Sequence, residues 1–330
     1  GFGKWIGYNE ASIMYILALG SPTHPSSSTG WSYWTSGYQF ATYYGYSYVN
    51  FPPLFGHQYS QCWLDMRTIA DSYMHTKGIT YFENSRRATL AQRAYAIANP
   101  LHWTGYSDSL WSLTASDDPY GYNAHGAPPA QTDNGTISPT AALSSMPFTP
   151  TESQAVMWTL WRNYNLATWG RYGFTDAFNP SVGWYDIDYL GIDVGPIVLM
   201  CENYQNQHIW TRFMLNADVQ NGLARAGFLS ATAIGEGLGG AESGEILLAI
   251  APNPIARSAA VRYHLPRAAT VRLVAYDARG RQVATLVEGL ESAGDHMTPF
   301  DVTRLTPGVY SCRLVADGVT ITRKCVVTGR

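Results

Sequence analysis

The sequence has 330 residues, enough for two domains, and its formal net charge of −3 with only 14% charged residues marks neither a nucleic-acid binder nor an anionic-membrane binder. No apolar run reaches the ~20 residues of a membrane-spanning helix, and Cys62, Cys201, Cys312 and Cys325 are too few and too dispersed for a disulfide scaffold or a zinc site. Aromatic residues match the charged ones at 14%, with 11 Trp and 23 Tyr, a balance that suits either a wet sugar-stacking cleft or a large aromatic core.

Residues 1 to about 228 read as helices joined by long loops rich in Gly, Pro and aromatics. The start, GFGKWIGYNE, has neither an initiator Met nor a signal-peptide pattern, so the natural N-terminus is expected upstream. Ala11 to Leu19, apolar on most faces, predicts a buried helix that stops at Gly20 with Pro22 beyond. Residues 57–75 and 81–98 predict two more helices, the second closed by Asn99-Pro100. Residues 99–149 show no helical period, and an ordered loop of that length is expected to carry function. Thr149, Pro150 and Glu152 read as N-cap, N1 and N3 of a capping box that starts the next helix. GPIVLMCENYQ and HIWTRFMLNADVQNGLARAG predict the last two helices.

At residues 229–245 the composition turns to Gly, Ala, Ser and Glu, which predicts a linker. Beyond it the period becomes two: Val271, Leu273 and Ala275 share a strand face, and Asp317-Gly318 joins two strands in a hairpin. Residues 246–330 therefore read as a small β-sandwich. Cys312 and Cys325 lie in adjacent strands, and spacing leaves their pairing open.

Several residues are candidates for chemistry. Glu10, between Asn9 and the first helix, is either a helix-start charge, where the anion would be stabilised, or a catalytic carboxyl flanked by Trp5 and Tyr8. Asp117 either meets a sugar hydroxyl or closes a turn before Pro119. His57, Gln58 and Tyr59 form a polar-aromatic cluster that lines a cleft or caps a helix. Trp111, Tyr122 and Trp184 are candidate stacking platforms. Asp193, just ahead of Gly195-Pro196, reads as a helix-start residue, and Asp176 and Glu202 stay outside the catalytic set with it; His24 reads as packing between prolines. With no phosphate loop, metal-ligand spacing or nucleophile elbow, a hydrolase without metal or cofactor is the economical reading.

The ordered motifs YNEASIMYILALGSPTHP, LFGHQYSQCWLDMR, WSLTASDDPYGY, NGTISPTAA, GFTDAFN and GIDVGPIVLMCEN resemble the back half of the glycoamylase-like domain. That family includes the endo-β-1,2-glucanases of glycoside hydrolase family 144 and domains attached to cyclic β-1,2-glucan synthases. The resemblance implies a multi-domain protein in which residues 1–228 are the C-terminal half of an all-α (α/α)6 toroid around a sugar cleft. It implies that Glu10, in the Tyr-Asn-Glu motif, is a catalytic carboxyl and that further acidic candidates lie upstream of residue 1. Trp5, Tyr8, Asn9, His57, Gln58, Tyr59, Trp111, Asp117, Tyr122 and Trp184 would then bind substrate. The tail, from APNPIARSAA to KCVV, resembles the C-terminal sorting domain of the type IX secretion system and the Ig-like domain of flagellar hook-capping proteins, although Cys325 in its last strand departs from the commonest pattern.

These resemblances imply a secreted or surface-exposed glycoside hydrolase that cuts β-glucan, foremost by endo attack on β-1,2-glucan with inversion. Its partners would be a glucan and the secretion machinery. The alternatives are a carbohydrate-binding or scaffold protein without turnover, and an inactive fragment of the hydrolase.

Overall fold

The computed structural model describes residues 6–127, 132–230, 246–251, 253–255 and 257–328; Trp5 and nearly all of the expected linker lie outside the described residues. The chain divides into two compact units, residues 1–67 with 80–228, and residues 68–79 with 229–330. The short segment 68–79 thus groups with the C-terminal part, where Ile69–Ala70 pairs antiparallel with Leu229–Ser230. Among the described residues no helix is long and apolar enough to cross a membrane.

The first unit begins with the helix Ser12–Gly20. Two glycines bring it against the helix Ala217–Arg225: a Cβ on Gly20 would lie 1.9 Å from the Asp218 carbonyl oxygen, and one on Gly222 would lie 2.0 Å from that of Ile16. Arg225 Nη1 adds a hydrogen bond to the Leu19 carbonyl at 3.1 Å. The expectation of a wholly buried helix is corrected, since Ile16 and Leu19 are buried while Met14 and Leu17 are exposed. The helix Ala217–Arg225, Trp31 and Trp34 beside Tyr15, and the Ser60 turn cover one side of it and leave Met14 and Leu17 outside.

The helix expected over residues 57–75 is broken. Phe55–Gln58 is α-helical, Ser60–Cys62 is a 3₁₀ turn, and the next helix is Ser72–Lys77. Short polar side chains impose the break: Asp65 accepts from the Arg67 backbone N–H at 3.2 Å, and Asp71 caps the following helix by accepting from Met74 N–H at 2.9 Å. Tyr81–Ala98 forms as read, capped by Thr80 and ended by Asn99 in the left-handed region. Pro150–Asn163 also forms with Pro150 at N1, but Thr149 makes no cap; its hydroxyl turns back to the Ser145 carbonyl and to Ser153. The last expected helix is two, His208–Met214 and Ala217–Arg225, because Asn216 accepts from Asp218 N–H and restarts the chain.

The loop expected over residues 99–149 contains the hairpin Ala115–Asp118 with Gly121–Ala124 and the helix Pro139–Leu143. Further hairpins, such as Phe40–Tyr43 with Tyr46–Val49 and Phe178–Asn179 with Trp184–Tyr185, mean that the unit is helical with short strands instead of all-α. Its core gathers Trp111, Leu113, Ile137, Leu143, Val156, Leu160 and Phe178. Burying each such side chain contributes roughly 1.5–3 kcal/mol.

Besides the short pair of Ile69–Ala70 with Leu229–Ser230, the described residues of the second unit form two larger antiparallel sheets. Leu247–Ala251, Ser258–Leu265 and Gly294–Asp301 make one in that order; Gln282–Glu291, Ala269–Asp277, Gly308–Ala316 and Val319–Val327 make the other. Val271, Leu273 and Ala275 point into its core, and Asp317 and Gly318 take the positive φ angles of a tight hairpin turn. Cys312 stands opposite Arg323 and Cys325 opposite Tyr310; both thiols are buried and free.

Candidate functional site

Glu10 lies in a turn one residue before the N-cap Ala11, and the first turn of Ser12–Gly20 holds no acidic residue, so this carboxylate is not a first-turn helix charge. The turn is fixed by its neighbours. Asn9 Oδ1 accepts from Ala11 N–H at 2.8 Å, and Ser60 Oγ donates to the Glu10 carbonyl while accepting from Ile13 N–H at 3.0 Å. Tyr8 is buried behind the turn, its ring 4.9 Å from that of His57. Glu10 itself is half-buried, and among the described residues no Lys or Arg pairs with it.

Tyr59, beside Ser60, donates its phenol to Asp193 Oδ1 at 3.4 Å. Asp193 sits in the first turn of Gly191–Gln205, where Thr140 Oγ1 donates to its carbonyl at 2.8 Å. The Asp193 carboxyl stands close enough to that of Asp176 for the two to share a proton. Asp176 Oδ2 accepts from the backbone N–H of Asp117 at 2.7 Å. One oxygen from each of Asp117, Asp176 and Asp186 lies within 4.8 Å of the other two. Tyr122, paired with Asp117 across its hairpin, has its phenol shifted upward first by burial and then by the charges of Asp193, Asp176, Asp117 and Glu10. Tyr59, Tyr122 and the aspartates therefore form one cluster, and the Glu10 charge is felt, more weakly than the aspartates', at the Tyr122 phenol.

The electrostatics are those of crowded carboxylates that no Lys or Arg among the described residues pairs with. Burial chiefly raises Asp176 to about 8, with repulsion from Asp193 and Asp117 adding to it and the Asp117 N–H opposing it. Burial also raises Asp193 to about 6, against the hydrogen bonds from Asp176 and Tyr59. Asp186 is raised by burial as well, although the Asp188 and Ile187 N–H groups favour its anion. Such a cluster can accept hydroxyl protons in hydrogen bonds, hold a proton, or ligate a hard cation.

Three expected substrate contacts prove to be interior groups. His57 is 1% exposed, its Nε2 is 3.1 Å from the Phe51 carbonyl, and burial lowers it to about 3. Gln58 is equally buried and donates to the Ala141 carbonyl at 2.6 Å and to Ser145 Oγ at 2.8 Å. Trp111 is wholly enclosed in the core and presents no face to a ligand. Tyr8 and Asn9 are buried too and act by bracing the Glu10 turn. Tyr59, Asp117, Tyr122 and Trp184 retain exposed surface, and Trp184 stands two residues before Asp186. Asp186 is not among the residues the sequence singles out, and Asp176 and Asp193 join the acidic cluster although the sequence places them outside the catalytic set; the available signal is the acidic run YDIDYLGID, which begins nine residues after Asp176.

Residues 3–217 match the family described as "Putative glucoamylase", and residues 249–328 match the "Secretion system C-terminal sorting domain". An exo β-1,2-glucooligosaccharide sophorohydrolase of Parabacteroides distasonis is 35% identical over 247 residues, covering 67% of this chain and 33% of that protein. A solved endo-β-1,2-glucanase from Chitinophaga pinensis, in complex with sophorotriose and glucose, is 40% identical with a TM-score of 0.63, over 68% of this chain and 55% of that one. A solved β-1,2-glucanase from Parabacteroides distasonis is 33% identical with a TM-score of 0.63, over 68% of this chain and 35% of that one. The chain thus spans a third of the length of the curated relative and just over half of the Chitinophaga structure.

Proposed function

The chain belongs to the glycoamylase family, and on that premise we propose that it is part of a glycoside hydrolase that cuts β-1,2-linked glucan internally with inversion. Its first unit would form the C-terminal half of an (α/α)6 toroid, a reading supported by the match to just over half of the Chitinophaga enzyme. Residues 1–228 are the catalytic part in this reading, 229–245 the linker and 246–330 the sorting domain, which sends the protein by type IX secretion to the cell surface or beyond.

The observation that carries the proposal is the half-buried Glu10 carboxylate, which no Lys or Arg among the described residues pairs with and whose charge, like those of the aspartates, acts on Tyr122. Inverting hydrolysis needs two carboxyl groups. One gives a proton to the glycosidic oxygen as the C–O bond breaks, and the other takes a proton from the water that attacks the anomeric carbon from the opposite face. Their separation of ~6.5–9.5 Å leaves room for that water. Glu10 is one member of the pair; Tyr59, Asp117, Tyr122 and Trp184 hold the sugar rings and their hydroxyls.

The test is reducing-end release from linear β-1,2-glucan by the natural full-length protein. Glu10→Gln should lower kcat by about 10³-fold or more while glucan binding persists, because the isosteric amide keeps the shape and loses the proton chemistry. Unchanged turnover in the variant removes Glu10 from the pair. Binding without turnover in both forms makes the protein a carbohydrate-binding one, and inertness toward all β-glucans rejects the enzyme.

A further inference from the structure

Beyond that reading, and without needing it, we propose that Asp117, Asp176 and Asp186 bind a calcium ion. One oxygen from each of the three lies within 4.8 Å of the others, a span that fits a single ion with Ca–O distances of ~2.3–2.6 Å. Each buried ligand divides its work in the same way. Asp176 gives Oδ2 to the Asp117 N–H, and Asp186 gives Oδ1 to the Ile187 and Asp188 N–H groups. The other oxygens, Asp176 Oδ1 and Asp186 Oδ2, accept from no donor although the residues are only 2% and 8% exposed. Buried carboxylate oxygens left in that state are costly and call for a counter-charge. Among the described residues no Lys, Arg or His forms an ion pair with any of the three.

A proton shared by Asp176 and Asp193 relieves that pair alone and leaves Asp186 Oδ2 without a partner. A cation reaches all three. An all-carboxylate set selects a hard ion over zinc or copper, and calcium tolerates an irregular set drawn from separate loops where magnesium demands a near-ideal octahedron. Asp117, half-exposed on its hairpin, gives the ion a way in. Burial of the other two suits a bound ion better than a proton donor that must touch a polymer. Extracellular calcium modules bind in the ~10⁻⁴–10⁻³ M range, the affinity class expected of a site in an exported protein.

The test uses the 330-residue chain after treatment with a chelator, at fixed ionic strength. Millimolar CaCl₂ should raise the tryptophan-monitored melting midpoint by about 3 °C or more, and TbCl₃ should show sensitised emission that calcium displaces. Asp186→Asn and Asp117→Asn should each lose both responses while circular dichroism shows them folded; either variant suffices if the other fails to fold. Absence of both responses in the parent, as for a cluster held by protons alone, overturns the proposal. So do responses that persist in a folded variant, or an equal response to MgCl₂.

Discussion

The two units are built on different principles. In the sandwich, apolar alternation does nearly all the specifying: Val271, Leu273 and Ala275 face inward, and Arg272 between them ion-pairs with Glu288 outside. In the helical unit, buried amides stand in for missing backbone partners. Gln92 both donates to the Leu113 carbonyl at 2.7 Å and accepts from its N–H at 2.8 Å. Asn84 does the same for Val49, at 3.3 and 2.7 Å. A hydrophobic count therefore describes one unit well and the other poorly.

This contrast can be broken by experiment. After Glu10→Gln, whose effect on turnover is the largest expected, Gln92→Leu should rank next. It orphans a buried N–H and a buried carbonyl together, at about 4 kcal/mol, despite being a more apolar residue in an apolar setting. All 11 tryptophans lie within residues 5–210, so their fluorescence reads this unit in urea titrations. A neutral or stabilising result would erase the distinction between the units. Leu273→Ala should cost about 3 kcal/mol in the sandwich by cavity formation, seen as faster hydrogen exchange across its strands with the tryptophan-monitored midpoint as reference.

His57 sharpens the contrast further. Its folded value of about 3 lies below the ~6.5 of an unfolded chain, so the unfolded state binds a proton that the folded state refuses. The associated stability is complete above pH ~6.5 and is lost as pH falls through that point toward 3. His57→Gln should flatten the decline of the urea midpoint between pH 6 and 4 by up to ~1.4 kcal/mol per pH unit. An unchanged slope would mean that His57 titrates normally. The smallest effect belongs to Leu166→Ser, at a side chain 99% exposed, which should stay within about 0.5 kcal/mol by the same fluorescence titration.

Legibility in the sequence followed this division. The hairpin at Asp317-Gly318 and the helix Tyr81–Ala98 were visible because each boundary is encoded in adjacent residues. The break after Cys62 was not, because Asp65 and Asp71 cancel a helical period by hydrogen-bonding the backbone nearby. The site was partly visible. His57, Gln58 and Tyr59 looked equivalent in the sequence, yet successive helical residues point in different directions and only Tyr59 reaches the acidic group. Asp117, Asp176 and Asp186 are separated by 59 and 10 residues, so no local spacing announces them.

The grip on Glu10 has a consequence of its own. Ser60 grasps the peptide of Glu10 while the adjacent Tyr59 grasps the side chain of Asp193, so consecutive residues act as the hinge of a caliper. One short segment thus tethers both the peptide of Glu10 and the carboxyl of Asp193. Replacing Ser60 by Ala removes the one hydroxyl that holds both the Glu10 carbonyl and the Ile13 N–H, so the peptide that carries Glu10 loses that tether.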